Sequence, residues 1–82
     1  MNILKTDIVL TTDINGRKAT NFVYYISSKP YSIWIINNGR QVNGKSILGL
    51  LSANLKKGDI ITVCIDNGSI DELDTIKEYI NK

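Results

Sequence analysis

Residues 3–10 alternate apolar and polar, with Leu4, Thr6 and Ile8 on one side, the period of a strand. Asp13-Ile14-Asn15-Gly16 breaks the pattern as a turn. From Arg17 the spacing lengthens. Ala19, Phe22, Val23 and Ile26 fall at i, i+3, i+4 and i+7, one face of a helix. Pro30 stops that helix, and Lys29 before it is biased to extended geometry. Residues 32–36 are rich in β-branched and aromatic side chains and predict a second strand. Asn37-Asn38-Gly39 holds the Asn-Gly signal of a tight hairpin, with Arg40-Gln41-Val42 as the return strand. Residues 46–53 predict a short helix with Ile47, Leu50 and Leu51 on one side. Lys57-Gly58-Asp59 is a turn, residues 60–65 a strand, and Asn67-Gly68 a break. Ser69-Ile70-Asp71-Glu72 reads as a capping box, and Leu73, Ile76 and Ile80 give the last helix its buried stripe.

The predicted order is β-α-β-β-α-β-α. Four short strands cannot bury two faces, so the helices must cover one side of the sheet. The expectation is an α+β open-faced sandwich, a four-stranded antiparallel sheet with helices on one face. The chain has 82 residues, 43% of them hydrophobic and 22% charged, the balance of one small globular domain spanning 1–82.

Composition then removes whole classes of chemistry. There is no histidine, which excludes imidazole catalysis, His-ligated zinc and phosphohistidine. The one cysteine, Cys64, allows no internal disulfide or multi-cysteine metal site and reads as a small buried or half-buried hydrophobe. Gly-rich phosphate loops and paired catalytic carboxylates are absent. Asp71, Glu72 and Asp74 are helix-start acids. The reading is a non-enzyme with no cofactor and no metal. The first residues lack a basic region and a long apolar core, and no apolar run spans a membrane. A cytoplasmic, reducing location is the expectation. Residues 1–45 carry six basic and two acidic groups, a net of +4; residues 46–82 carry four and six, a net of −2. An anionic partner should prefer the surface built by the first half. The overall +2, without basic residues interleaved among aromatics, gives no case for direct nucleic-acid binding.

The stretch Asn38-Gly39-Arg40-Gln41-Val42-Asn43-Gly44-Lys45-Ser46-Ile47-Leu48-Gly49-Leu50-Leu51-Ser52 resembles NGKxVNxKSIMGxMS, a signature of the HPr family of sugar-phosphotransferase phosphocarriers. Asn15-Gly16-Arg17-Lys18-Ala19-Thr20-Asn21-Phe22-Val23 resembles that family's first signature, HARPAxxFV, in degraded form. The two signatures pair with no gap between them, and the resemblance covers nearly the whole chain. It implies the HPr fold. It also implies a regulatory serine at Ser46, phosphorylated by an HPr serine kinase/phosphorylase. Arg17, at the start of the first helix, and Lys45, adjacent to Ser46, are the candidate contacts for the phosphate or the partner. Thr20, Ile47, Leu48 and Leu51 would be the docking patch for the kinase and for a transcriptional regulator of carbon use. The family's phosphorylated histidine falls on Asn15, and the proline after its arginine on Lys18. A carboxamide nitrogen has its lone pair delocalised and cannot accept a phosphoryl group. The type most resembled is therefore the catabolite-repression branch, Crh, which also lacks the relay histidine. That branch carries glutamine there and keeps Ala-Arg-Pro, so Asn15-Gly16-Arg17-Lys18 departs further.

Each candidate has a plainer alternative. Ser46 is either an N-cap only, or an N-cap that is also phosphorylated. Four of the five positions from Ile47 to Leu51 are large and apolar, more than one helix face holds, so they divide between core and exposed patch. Arg17, Lys18 and Lys45 form either a basic patch or a solvated rim. On the second strand Ile33 and Ile35 should face the helices, leaving Trp34 and Ile36 on the open face with Ile60 and Cys64. That face would be an exposed apolar patch suited to a homodimer or another partner. Two readings result. The first is a Ser46-switched regulator of carbon catabolite use, unable to relay phosphate. The second is a diverged binding or assembly module without phosphorylation, working through the open face.

Overall fold

A computed structural model describes residues 2–82. Its elements are β1 (Ile3–Val9), α1 (Gly16–Ser27), β2 (Ser32–Asn37), β3 (Arg40–Asn43), α2 (Ile47–Ser52), β4 (Ile60–Asp66) and α3 (Ile70–Ile80), the expected order. Boundaries differ slightly: β1 ends one residue early, at Val9, and β4 runs on to Asp66.

All strand pairs are antiparallel and the sheet order is β1-β4-β2-β3. The strand met last in the chain thus lies between the first two. Three of its apolar side chains, Ile61, Val63 and Ile65, are fully buried on the helix side, where Ile8 of β1, Ile33 and Ile35 of β2 and Val42 of β3 are also buried. Ala19, Phe22 and Ile26 of α1, Leu50 of α2, and Leu73, Ile76 and Ile80 of α3 close the core from above. The β2–β3 turn has positive φ at both central residues, Asn38 (53°) and Gly39 (78°), the primed hairpin turn that the Asn-Gly pair favours.

The short helix α2 is less buried than its pattern suggests. Only Leu50 is fully buried; Ile47 is 39% exposed, Leu51 43% and Leu48 80%. Ile47 and Leu51 therefore flank the contact rather than fill it. With six residues, α2 inserts one central side chain and no stripe.

The open face also differs from expectation. Trp34 and Ile60 are exposed there, but Ile36 is only half-exposed and Cys64 is buried. Cys64 sits opposite Lys5 of β1 and Trp34 of β2, and a central-strand side chain is covered by its larger cross-strand neighbours. The face instead gains Ile3 and Val9 of β1, both exposed.

Candidate functional site

Two helix starts carry the candidate chemistry, and neighbouring segments fix both. Before α1, the loop after β1 is tied to the loop before β4. Asp13 Oδ1 accepts from the Lys57 N–H at 2.8 Å, and the Ile14 N–H donates to the Leu55 carbonyl at 3.0 Å. This holds Asn15 at the N-cap, where its side-chain oxygen accepts from the Lys18 N–H at 3.1 Å. Asn15 thus has a structural role, because it satisfies a backbone donor that an apolar residue would leave open. Its N-cap propensity was the available signal for that role.

The stretch before α2 can be read residue by residue. Val42 enters the core. Asn43 Oδ1 accepts from the Lys45 N–H at 2.9 Å, and the Asn43 carbonyl accepts from the Ser46 N–H at 3.1 Å, turning the chain. Gly44 lies against β2: its N–H donates to the Ile33 carbonyl at 2.9 Å, and a Cβ there would meet Ile33 Cγ2 at 2.9 Å. Ser46 is the N-cap of α2, its Oγ accepting from the Gly49 N–H at 3.0 Å. At the far end of α2 the Ala53 carbonyl accepts from Asn37 Nδ2 at 3.3 Å; Asn37, buried at the end of β2, also reaches Asp59 Oδ2 at 3.3 Å. The sequence places Asn37 in a turn and gives no sign of this buried tie.

The three basic residues do not form one patch. Lys45 Nζ donates to the Lys29 carbonyl beyond the end of α1, at 2.8 Å. Lys18 Nζ donates to the main-chain oxygen of Lys82, past α3. Arg17 is exposed on the first turn of α1. Each lysine takes a main-chain oxygen beyond a helix end, one past α1 and the other past α3.

α1 packs beside α2. The exposed side of α1 carries Arg17, Thr20 and Tyr24, spaced three and four residues apart. The Thr20 hydroxyl donates back to the Gly16 carbonyl at 2.7 Å, so the residue offers mainly its methyl outward. Tyr24 is 85% exposed and belongs with this surface. Its position one turn after Thr20, off the Phe22–Ile26 side, was the signal for it. On α2 the exposed Ile47, Leu48 and Leu51 follow Ser46 directly. A cavity of about 220 Å³ lies at the other side of α1, between Ile14, Lys18, Asn21 and Phe22 and, from the end of α3 and beyond it, Tyr79, Ile80 and Lys82. Among the described residues no group of three or more Cys, Asp or Glu side chains could hold a metal ion, and no helix is long and apolar enough to cross a membrane.

Residues 4–82 match the family described as the PTS HPr component phosphorylation site. The chain belongs to the PTS HPr family. Among curated proteins of the family, it is 29% identical over 79 residues to the HPr-like protein Crh of Halalkalibacterium halodurans, covering 95% of this chain and 94% of that protein. It is 30% identical over 60 residues to the phosphocarrier protein HPr of Neisseria meningitidis, covering 73% and 67%. Among solved structures, Bacillus anthracis HPr superposes with a TM-score of 0.86 at 26% identity, covering 96% of this chain and 98% of that one. Bacillus subtilis Crh, a catabolite-repression protein whose crystal structure is a domain-swapped dimer, superposes with a TM-score of 0.73 at 27% identity, covering 98% and 93%. The HPr architecture expected from the sequence is the one observed.

Proposed function

We propose that this HPr-family chain is a non-catalytic regulator of carbon catabolite use, switched by phosphorylation of Ser46 and unable to relay phosphate through residue 15. One observation carries the reading. Asn43, Gly44, Lys45 and Ser46 each have a local structural role, but Leu48 beside them is 80% exposed and has none. An exposed leucine flanked by half-exposed Ile47 and Leu51, immediately after a capping serine, is suited to being recognised with it. A phosphate on Ser46 Oγ would add about −1.5 to −2 charge at a helix start without unseating the core. The new charge, with Arg17 free to pair, would be what a partner reads. The partners of this reading are an HPr serine kinase/phosphorylase and a transcriptional regulator, which would dock on Thr20, Ile47, Leu48 and Leu51. Lys45 is already engaged with the Lys29 carbonyl, so it would have to release that bond to meet a phosphate. ATP-dependent phosphorylation fits a cytoplasmic setting. The carboxamide of Asn15 has no nucleophilic nitrogen, which removes the histidine route.

Intact mass after incubation with ATP and a bacterial HPr serine kinase tests this. The expected result is one added phosphate on the wild type and none on Ser46→Ala. No phosphate, with a control HPr modified in the same tube, overturns it. Incubation with the histidine-phosphorylating donor of the system should leave the mass unchanged.

The exposed side chains of the open face favour a second reading, a binding module or homodimer through Trp34 with Ile36 at its margin. Sedimentation of the wild type and Trp34→Glu tests it; identical monomeric profiles would remove it.

A further inference from the structure

The cavity between α1 and the end of α3 has a fixed shape. Lys18, Asn21 and Phe22 stand three and four residues apart on one side of α1 and line it together. Tyr79 and Ile80 of α3 and Lys82 beyond it line the other side, and Ile14 enters from the loop before α1. The Tyr79 ring stacks on Tyr25 with centroids 4.1 Å apart and meets Phe22 at a tilt, 6.3 Å away. Its hydroxyl donates to the Asn21 carbonyl at 3.5 Å. The residues after α3 are tied down as well. Asn81 Nδ2 donates to the Val9 carbonyl at 2.9 Å, the Thr11 N–H donates to Asn81 Oδ1 at 3.0 Å, and the Lys82 N–H donates to the Tyr79 carbonyl at 3.1 Å. The cavity is therefore formed before any ligand enters, as small-molecule sites commonly are.

Its chemistry is two-sided. Ile14, Phe22 and Ile80 are buried and give it an apolar floor. Lys18 and Lys82 give it positive charge, and none of the residues lining it is acidic. Lys18 Nζ donates to the main-chain oxygen of Lys82. An ammonium has three donors, so two remain for a ligand. The Asn21 carboxamide is exposed, with no hydrogen-bond partner among the described residues. A bare inorganic anion would leave the apolar floor uncovered, and a hydrocarbon would leave the charge unused. Size sets a further limit. An apolar cavity of about 150 Å³ takes up one benzene. One of about 220 Å³ has room for a single ring and one carboxylate. The HPr-family signature has proline where Lys18 stands, so this cation belongs to this chain's own sequence. No residue of α2 lines the cavity, so the site is independent of Ser46.

We infer that this cavity binds a small aromatic carboxylate, with its ring on Ile14, Phe22 and Ile80 and its carboxylate at Lys18 and Lys82. Phenylacetate is the probe. Titrated into the ¹⁵N-labelled full chain, it should give saturable amide shifts at Lys18, Asn21, Phe22 and residues 79–82. Acetate lacks the ring and phenylacetamide lacks the charge; each should bind the wild type about tenfold more weakly or worse, the effect of one lost charge-assisted contact or of the uncovered floor. Lys18→Met keeps the apolar stem and should weaken phenylacetate by a similar factor, while Lys18→Arg should retain most of the binding. Lys5→Met makes the same charge change on β1 and should leave the midpoint unchanged. Added salt should weaken phenylacetate and leave phenylacetamide unaffected. Spectra that overlay the wild type's away from the cavity show that each variant folds, and the two ligand controls on the wild type decide the matter without any variant. Shifts that do not saturate or that centre elsewhere, equal binding by Lys18→Met, or acetate or phenylacetamide binding as tightly as phenylacetate would each overturn the proposal.

Discussion

The starts of α1 and α2 have the same geometry and opposite chemistry. Asn15 and Ser46 each accept from the backbone N–H three residues on, at 3.1 and 3.0 Å. Both remove one unpaired helix donor, and stability scarcely distinguishes them. A hydroxyl oxygen can accept a phosphoryl group and an amide cannot. The start of α3 is the third case. There Ser69 is capped reciprocally: Glu72 Oε1 accepts from the Ser69 N–H at 3.0 Å, while Ser69 Oγ accepts from the Glu72 N–H at 3.2 Å, with Asp71 alongside. Added phosphate at Ser69 would meet two acids in the first turn; at Ser46 it would meet none. What surrounds the cap decides whether a helix start suits an added phosphate; the cap itself is shared.

The comparison can be broken most forcefully inside α2. Leu50→Ala should cost about 2–5 kcal/mol in urea unfolding, because Leu50 is the fully buried side chain of that helix. Leu48→Ala should stay within about 0.5 kcal/mol in the same assay, while slowing modification of Ser46 by the kinase. Equal stability losses would mean that Leu48 packs as core. The caps come next. Asn15→Ala and Ser46→Ala should each cost about 1 kcal/mol by thermal or urea unfolding, and Ser46→Asp should cost less than Ser46→Ala, since aspartate also caps and favours a helix N-terminus. A loss at only one of the two would end the claim that the starts are structurally equivalent.

The smallest effect is a pH dependence away from both starts. Burial, then the negative charge of Glu72, then Tyr25, push the Tyr31 phenol up to about 12 from 10.0. The folded state holds the neutral phenol more tightly than the unfolded state does. This contribution is complete below pH 10 and is lost as pH rises toward 12. Thermal unfolding followed from pH 9 to 12 should show a smaller alkaline decline for Tyr31→Phe than for the wild type.

Much of the site was legible because its signals are local. The Asn-Gly pair alone dictates the positive φ values of Asn38 and Gly39. The period of Ala19, Phe22 and Ile26 set which side of α1 is buried, and with it which side bears Arg17 and Thr20. Ser46 and Ser69 were recognisable as caps from their own neighbours. The reading of Lys45 beside Ser46 as a phosphate contact rested on adjacency, and adjacency does not say where a long side chain ends. Lys45 ends on Lys29, and Lys18 on Lys82.

The sequence by itself therefore determined the element order, the caps at Ser46 and Ser69, the hairpin turn and the absence of any imidazole. Each depends on residues within a turn of one another, where backbone preference and periodicity act. Tertiary structure alone decided that β4 lies between β1 and β2, that Cys64 is buried opposite Lys5 and Trp34, that Asn37 ties β2 to α2, and that β1 is an edge strand. Those outcomes depend on cross-strand neighbours and on helix ends far apart in the chain. A side chain's burial and a carbonyl's need for a partner are set by whichever distant segment arrives beside them.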